Sequence, residues 1–578
     1  MKCSRGATLS AMPSMVSPRR IRWPSHGNAS SASNAIASNS RVSARPGSAL
    51  PRLSSDDLPL AVRSRLGHSR VGGIGWDGGG ITSRPVQVRA NVRPAVPSRQ
   101  RPFFAHCVGM SDVADSVKQE VTEIVARARA AQEAIADYTQ EQTDDLCAAV
   151  AWAVARTDRA EALAKLAVDE GGFGNYADKV TKIKKRVLGA LADMRDVRTV
   201  GVVEEDPARG LVKIAKPVGV VAALIPTTGP DATPPLKALF ALKGRNAIVV
   251  APHPRTAETT AAVVEYMREA CVRVGAPADL VQVLSRPSIA KTQELMRQAD
   301  LVVATGGAAM VKAAYSSGTP AYGVGVGNSV HVVDETADLD DAATAIADAK
   351  TFDYATSCLA DNAIVVEASV YEDLLERLVA RGAHRCDAKE KAALQRCMWP
   401  DGRHVPSADV IAKPATTIAQ LAGFTIAPDR TFLVVEEDGV GPDHPFSGEK
   451  LSVVLAAYRY TGGIERAVEL VNAITSYQGL GHTCGIHTRR DDHVDALAFG
   501  TRTARVMVNQ NLNEGAGSPR NGLPFTLSLS CGTWGGNITT ENVNARHFVN
   551  LTWVSRPIEP HPVSEEELFA RYWARYGR

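Results

Sequence analysis

The stretch KPVGVVAALIPTTGPDATPPLKALFALKGRNAIVVAP, residues 216–252, decides the fold. It holds an apolar run at 216–226, a turn of Thr, Gly and Pro, a helix-forming segment LKALFALKG, and a second apolar run at 246–252. Short apolar runs without alternation read as strands buried on both faces, and the helix between them is the crossover that parallel strands need. The pattern continues downstream. A helix is expected from near Thr256 to Gly275, a strand at 279–285, a helix at 288–299, a strand at 301–304 with the turn TGGAAM, a further helix, and a strand at 329–334. This predicts an α/β fold with a Rossmann-type parallel sheet, whose ligands lie at the carboxyl ends of the strands. Those ends are the turns 226–230, 252–255 and 305–307.

Upstream, residues 111–198 read as helical, beginning with Ser111 as N-cap and interrupted at Gly171-Gly172. A second α/β unit follows the first. It contains KTFDYATSCLADNAIVVE (350–367), a helix near 371–383, a strand at 431–436, HPFSGEKLSVVLAAY and the loop QGLGHTCGIHT. The expected domains are a basic extension at 1–109, a nucleotide-binding domain at 110–345, a cysteine-bearing catalytic domain at 346–520, and a return segment with a small β oligomerisation element at 521–578. The strand-like stretches ARGLVKIAKP and NLTWVSRPI are expected to extend a partner's sheet, which predicts a homodimer or homotetramer.

Charge divides the chain of 578 residues. Residues 1–109 carry 16 Lys+Arg against 3 Asp+Glu and no Glu, while the remainder carries 49 against 59. The acidic remainder argues against general nucleic-acid affinity. The extension cannot bury enough apolar surface to offset its ordering entropy, so it is expected to be disordered. It reads as a targeting segment, as a basic arm, or as upstream sequence translated from too early a start, the last being preferred. Nine scattered cysteines without a CxxC pair indicate a reducing compartment, the cytoplasm, and no zinc site. No apolar run approaches the roughly 20 residues that span a bilayer, so no membrane is expected.

Cys358 lies between a helix and the β-rich AIVVE. A buried hydrophobic thiol is the ordinary reading of such a residue, and a nucleophile at a cleft mouth is the other. The motifs decide between them. PVGVVAALIPTTGP, LKGRNAIVVAPHPRT, ATGGAAMVKAAYSSGTPAYGVGVGNSVHVVDETAD, KTFDYATSCLADNAIVVE, PFSGEKLS, GLGHTCGIHT and CGTWGGNITTENV occur in one order. Together, over 111–556, they resemble the CoA-acylating aldehyde dehydrogenases of the aldehyde dehydrogenase superfamily. The pattern TSC-x-x-x-N and the ending SEEELFARYW resemble the sulfoacetaldehyde branch.

The resemblance implies a thioester mechanism on Cys358, with NAD or NADP and coenzyme A. The expected substrate is sulfoacetaldehyde, with acetaldehyde or another short aldehyde as the alternative. An acyl-phosphate reductase is a second enzyme reading, and a non-enzymatic scaffold or nucleic-acid-binding protein a third. His482 matches the histidine assigned to proton transfer, against a loop histidine that only orients backbone. Glu449 matches a residue at the nicotinamide ribose, against a surface ion pair with Lys450. Gly306 and Gly307 would admit the cofactor pyrophosphate, and Thr227 and Thr228 would meet the nicotinamide side. His253 and Arg255 would lie by the adenosine ribose, where a basic group and no adjacent carboxylate accommodate NADP. Two features depart from the pattern. The carboxylate that activates water in hydrolytic relatives is missing from GVGVGNSVHVV, and Gly229 stands where an asparagine amide is usual.

Overall fold

The computed structural model describes residues 105–578 apart from Asp401, Arg403 and His404, with side chains from Asp115 onward. The expectations for residues 1–104 lie outside the described residues. Four helices come first: Ala105–Ala134, Gln140–Ala155, Thr157–Gly171 and Tyr176–Met194. The first starts ahead of Ser111, the residue expected to cap it. The last proline upstream is Pro102, and Gly109 alone costs a helix only about 1 kcal/mol, so nothing stops the helix at 111. The third helix ends as expected at Gly172, whose φ of 67° suits a residue without a Cβ.

A five-stranded parallel sheet holds, in spatial order, Val281–Val283, Ala247–Ala251, Val220–Leu224, Leu301–Thr305 and Ala321–Val324. The chain steps outward in one direction from Val220–Leu224 and then returns to its other side with Leu301–Thr305. The switch point therefore falls between these two strands, whose ends carry Thr227-Thr228 and Gly306-Gly307. The apolar run 216–226 is not one strand. Leu211–Pro217 belongs to another sheet, and Gly219, at φ 121°, turns the chain into Val220–Leu224. Ala321–Val324 was not anticipated, because AYGV between glycines carries little strand signal.

A seven-stranded parallel sheet has the order Ala383–Arg385, Phe432–Glu436, Val454–Tyr460, Ala363–Glu367, Val330–Val333, Gly481–His487 and Thr503–Val508. Two corrections arise here. Val330–Val333, read as the end of the first sheet's run, lies inside this second sheet, so the second sheet begins before residue 346. QGLGHTCGIHT is not a loop, since its Gly481–His487 portion is a fully buried strand. The polar His and Thr of that strand obscured it in the sequence.

The third sheet is antiparallel and joins Gly201–Asp206, Leu211–Pro217 and Val549–Ser555. The two stretches expected to reach a partner thus pair with each other, Leu551 opposite Ala215. Phe525, Val543 and Phe548 return to the core of the five-stranded sheet, and Phe548 O accepts from Asn246 Nδ2 at 2.8 Å. The tail is therefore packed on the first sheet before it reaches its strand.

Candidate active site

Cys358 is presented by an unusual backbone. The helix Leu339–Thr351 ends, and Asp353, Tyr354 and Ala355 follow at φ 49°, 51° and 60°. Three consecutive left-handed residues that are not glycine cost about 1–2 kcal/mol each, so the surroundings must hold them. The turn then brings Cys358 against the loop before Val330–Val333. Ser329 Oγ donates to Cys358 O at 3.0 Å. A Cβ on Gly327 would stand 2.4 Å from Cys358 O and 2.5 Å from its Cβ, so only glycine permits this approach.

The strand Gly481–His487 delivers the partner. His482 Nε2 lies 3.2 Å from Cys358 Sγ. His482 Nδ1 is buried without a hydrogen-bond partner among the described residues, and His482 O accepts from Arg505 at 3.3 Å. Burial, then the Arg505 charge, pushes the imidazole down to about 3. Burial, then the charge of Glu449, pushes the thiol up to about 12, against a lowering by Arg505. The pair therefore rests as thiol and neutral imidazole, not as thiolate and imidazolium, with Nε2 positioned to receive the S–H proton. Burial thus moves both groups away from their charged forms. A pH dependence follows. Below a raised thiol pKa the thiolate fraction grows about tenfold per pH unit. Iodoacetamide alkylation of Cys358 in the ligand-free protein, read by peptide mass, is expected to rise continuously from about pH 6 to 9. Levelling near neutrality would show a preformed thiolate and contradict this geometry.

Glu449 is not in a surface ion pair with Lys450. Its Oε1 accepts from Gly327 N at 3.0 Å, while the buried Lys450 ammonium donates to Phe446 O at 2.6 Å and Gly448 O at 3.0 Å. Burial raises the Glu449 carboxyl to about 8, so it is largely protonated near neutral pH. When ionised it is the carboxylate whose charge acts most on Cys358. Asp334, the first carboxylate after GVGVGNSVHVV, is bound by Thr336, Thr488 and His493 away from the thiol. His487 is buried, its ring tilted against that of His331 with the centroids 4.5 Å apart.

A cleft of about 500 Å³ opens beside the switch point, lined by Ala308, Lys312, Tyr315, Val326, Leu480 and Trp534 among others. The helix Ala308–Tyr315 begins here with Gly307 as N-cap, no side chain caps it, and the space above Gly307 is open. Uncapped N–H groups at a helix start fit a diphosphate, and a cleft of this size fits a dinucleotide arm. Cys531 lines the cleft near Cys358, and burial raises its thiol to about 11. The sequence reading had the glycines but not Lys312, Tyr315 or Trp534; CGTWGG was the signal that contained the last. Thr227 and Thr228 sit half-buried in the turn after Val220–Leu224. A Cβ on Gly229 would stand 2.6 Å from Thr233 Oγ1, so a side chain there would have to displace the Thr233 hydroxyl.

His253 and Arg255 do not obviously converge on a ligand. His253 Nδ1 accepts from Arg255 N at 3.2 Å, and the Arg255 guanidinium lies 4.7 Å over the Phe173 ring. A carboxylate does reach this region, from a distant helix. Glu170 accepts from Glu258 N and Thr259 N, both at 2.8 Å, and so caps the helix Ala257–Arg273. Sequence adjacency could not show it.

Comparison with known proteins places these features. Residues 105–389 match the model of the aldehyde dehydrogenase family. A sulfoacetaldehyde dehydrogenase of Acholeplasma sp is 44% identical over 452 residues, covering 78% of this chain and 93% of that protein. A sulfoacetaldehyde dehydrogenase (acylating) of Cupriavidus necator is 45% identical over 469 residues, covering 80% and 94%. The crystal structure of an acetylating aldehyde dehydrogenase from Geobacillus thermoglucosidasius superposes with a TM-score of 0.74 at 38% identity, covering 78% of this chain and 99% of that one.

Proposed function

Because the chain belongs to the aldehyde dehydrogenase family, we propose that it oxidises a short aldehyde to its CoA thioester with NAD or NADP, sulfoacetaldehyde being the preferred substrate. One observation carries the reading: a thiol held 3.2 Å from a neutral imidazole, beside a glutamate whose carboxyl is engaged by the Gly327 N–H. Cys358 Sγ attacks the aldehyde carbon while His482 Nε2 takes its proton, giving a thiohemiacetal. The nicotinamide cofactor, when bound, accepts the hydride that leaves this carbon. The product is an acyl thioester on Cys358. The imidazolium gives its proton to solvent; the thiol of CoA then attacks that carbonyl and passes its proton to the imidazole, which returns it to the departing Cys358 sulfur. Ser329 and Gly327 fix the cysteine's backbone during both steps.

The preference for a sulfonate rests on the similarity to sulfoacetaldehyde dehydrogenases and on charge. Arg186 and Arg505 are buried and held by carbonyl oxygens and one amide rather than by carboxylates. Arg505 acts on Cys358 by its charge, and a second buried cation, Arg186, lies near it, which supports an anionic substrate. No helix among the described residues is long and apolar enough to cross a membrane. The seven described cysteines are free, which suits a reducing compartment such as the cytoplasm. The three-stranded sheet leaves Leu551 and Trp553 exposed, which suits self-association into a dimer or tetramer.

The test is a panel of sulfoacetaldehyde, acetaldehyde and succinate semialdehyde with CoA and either cofactor, following NAD(P)H and identifying the thioester by mass. Sulfoacetaldehyde is expected to give the highest kcat/KM. A tenfold advantage for acetaldehyde would overturn the substrate assignment, and turnover with phosphate in place of CoA would favour the acyl-phosphate reductase reading.

A further inference from the structure

The left-handed turn before Cys358 is held by a buried cluster of charges that the proposed chemistry does not use. The Asp353 carboxylate is the centre. Its Oδ1 accepts from Asn175 N at 2.9 Å; its Oδ2 accepts from Lys182 Nζ at 2.7 Å, Thr356 Oγ1 at 2.9 Å and Lys179 Nζ at 3.2 Å. Asp353 N donates to Asp178 Oδ2 at 2.7 Å. The turn is thus docked on the start of the helix Tyr176–Met194. Gly174 makes room for it, since a Cβ there would stand 1.9 Å from Asp353 Oδ1.

Lys182 also faces the other half of the site. Its Nζ lies 3.6 Å from Asp231 Oδ2. Asp231 is fully buried, and neither of its oxygens has a hydrogen-bond partner among the described residues. A buried carboxylate left this way is held by charge, and the Lys182 ammonium is its nearest cation. Asp231 lies in the turn that carries Thr227, Thr228 and Gly229 at the switch point. One lysine therefore ties the turn bearing the nucleophile, from the seven-stranded sheet, to the turn at the cofactor side of the five-stranded sheet. Burial and the Lys182 charge lower Lys179, while Asp231 and Asp353 hold Lys182 above the ordinary range.

We propose that Lys182 is a positioning residue: by pairing with Asp353 and Asp231 at once, it holds the strained turn of Cys358 in register with the cofactor-side turn. Hydride transfer needs the donor carbon and the acceptor within a near-attack distance, and a displacement of about 1 Å costs on the order of 100-fold. Lys182 supplies this register without touching substrate. The inference rests on the proposed dehydrogenase reading for its kinetics, but its geometry is read independently through Cys358.

The experiment compares wild type, Lys182→Met, Lys182→Arg, Ala355→Gly and the double variant Lys182→Met/Ala355→Gly. Lys182→Met is expected to lower kcat on the order of 100-fold, with the KM for the cofactor nearly unchanged, and to change the rate of Cys358 alkylation in the absence of substrates. Lys182→Arg should keep most of the activity. Glycine adopts left-handed backbone at no steric cost, so Ala355→Gly relieves the turn and should restore at least tenfold of the loss in the double variant. Recovery separates a role on the turn from one on the core alone. If Lys182→Met does not fold, folding of the double variant supports the proposal and its failure overturns it. A folded Lys182→Met with wild-type kcat and alkylation, or a folded double variant no better than the single, would also overturn it. If no aldehyde is turned over by the wild type, the dehydrogenase reading fails, while the alkylation rates still decide the role of Lys182.

Discussion

Replacing Cys358 by serine is expected to abolish NAD(P)H formation, with kcat falling on the order of 10⁴-fold or more while the protein stays folded. The geometry gives the reason. His482, pushed down to about 3 by burial, is a weak base in its resting state. Bonding of the sulfur to the aldehyde carbon acidifies the S–H, so the proton passes to Nε2, 3.2 Å away, as the attack proceeds. A serine hydroxyl is far less acidic, and the same imidazole would leave it protonated. The acyl group would also be carried as an oxygen ester, which a thiol displaces slowly. Stability should hardly change, since oxygen for sulfur is a small volume change beside Val324, Leu359, Ala516 and Leu529. Thermal unfolding and steady-state rates on the purified variant provide the check. Activity within tenfold of wild type would remove Cys358 from the chemistry.

The sequence made one half of this legible and hid the other. The parallel strands of the first sheet are buried on both faces, so Val220–Leu224, Ala247–Ala251 and Leu301–Thr305 read as continuous apolar runs. Gly481–His487 is equally buried but carries His482, Thr483 and His487, whose environments are created by other elements. Its periodicity therefore gave no strand signal. Cys358 and His482 are 124 positions apart, and only the order of motifs connected them.

The buried charges were the least legible part. The helix Tyr176–Met194 contains DKVTKIKKR, which in isolation reads as a solvated basic face. Lys179, Lys182 and Arg186 are nevertheless buried, because Asp353, Asp231 and the carbonyls of 513–517 come to meet them from distant parts of the chain. Pairing of this kind depends on tertiary structure alone. The same applies to Glu449. Beside Lys450 in sequence it suggests an ion pair, yet the two side chains turn to different backbone groups.

The second large effect concerns coenzyme A. An acyl-enzyme is hydrolysed quickly only when a base delivers water to its carbonyl. Here the Glu449 carboxyl is engaged by Gly327 N, and Asp334 is bound by two threonines and His493. His482 has Nε2 at the sulfur and is depressed by burial, so it suits a thiol more than water. The thioester on Cys358 should therefore wait for a thiol. The effect is expected to be all or none in the steady state, exceeding that of any positioning substitution.

Stopped-flow observation of NAD(P)H with aldehyde and cofactor, first without and then with CoA, tests this most directly. The expected result is a burst of about one NAD(P)H per subunit without CoA, a mass increase on Cys358 equal to the acyl group, and continuous turnover when CoA is added. Continuous turnover without CoA, with free carboxylic acid accumulating, would contradict the account.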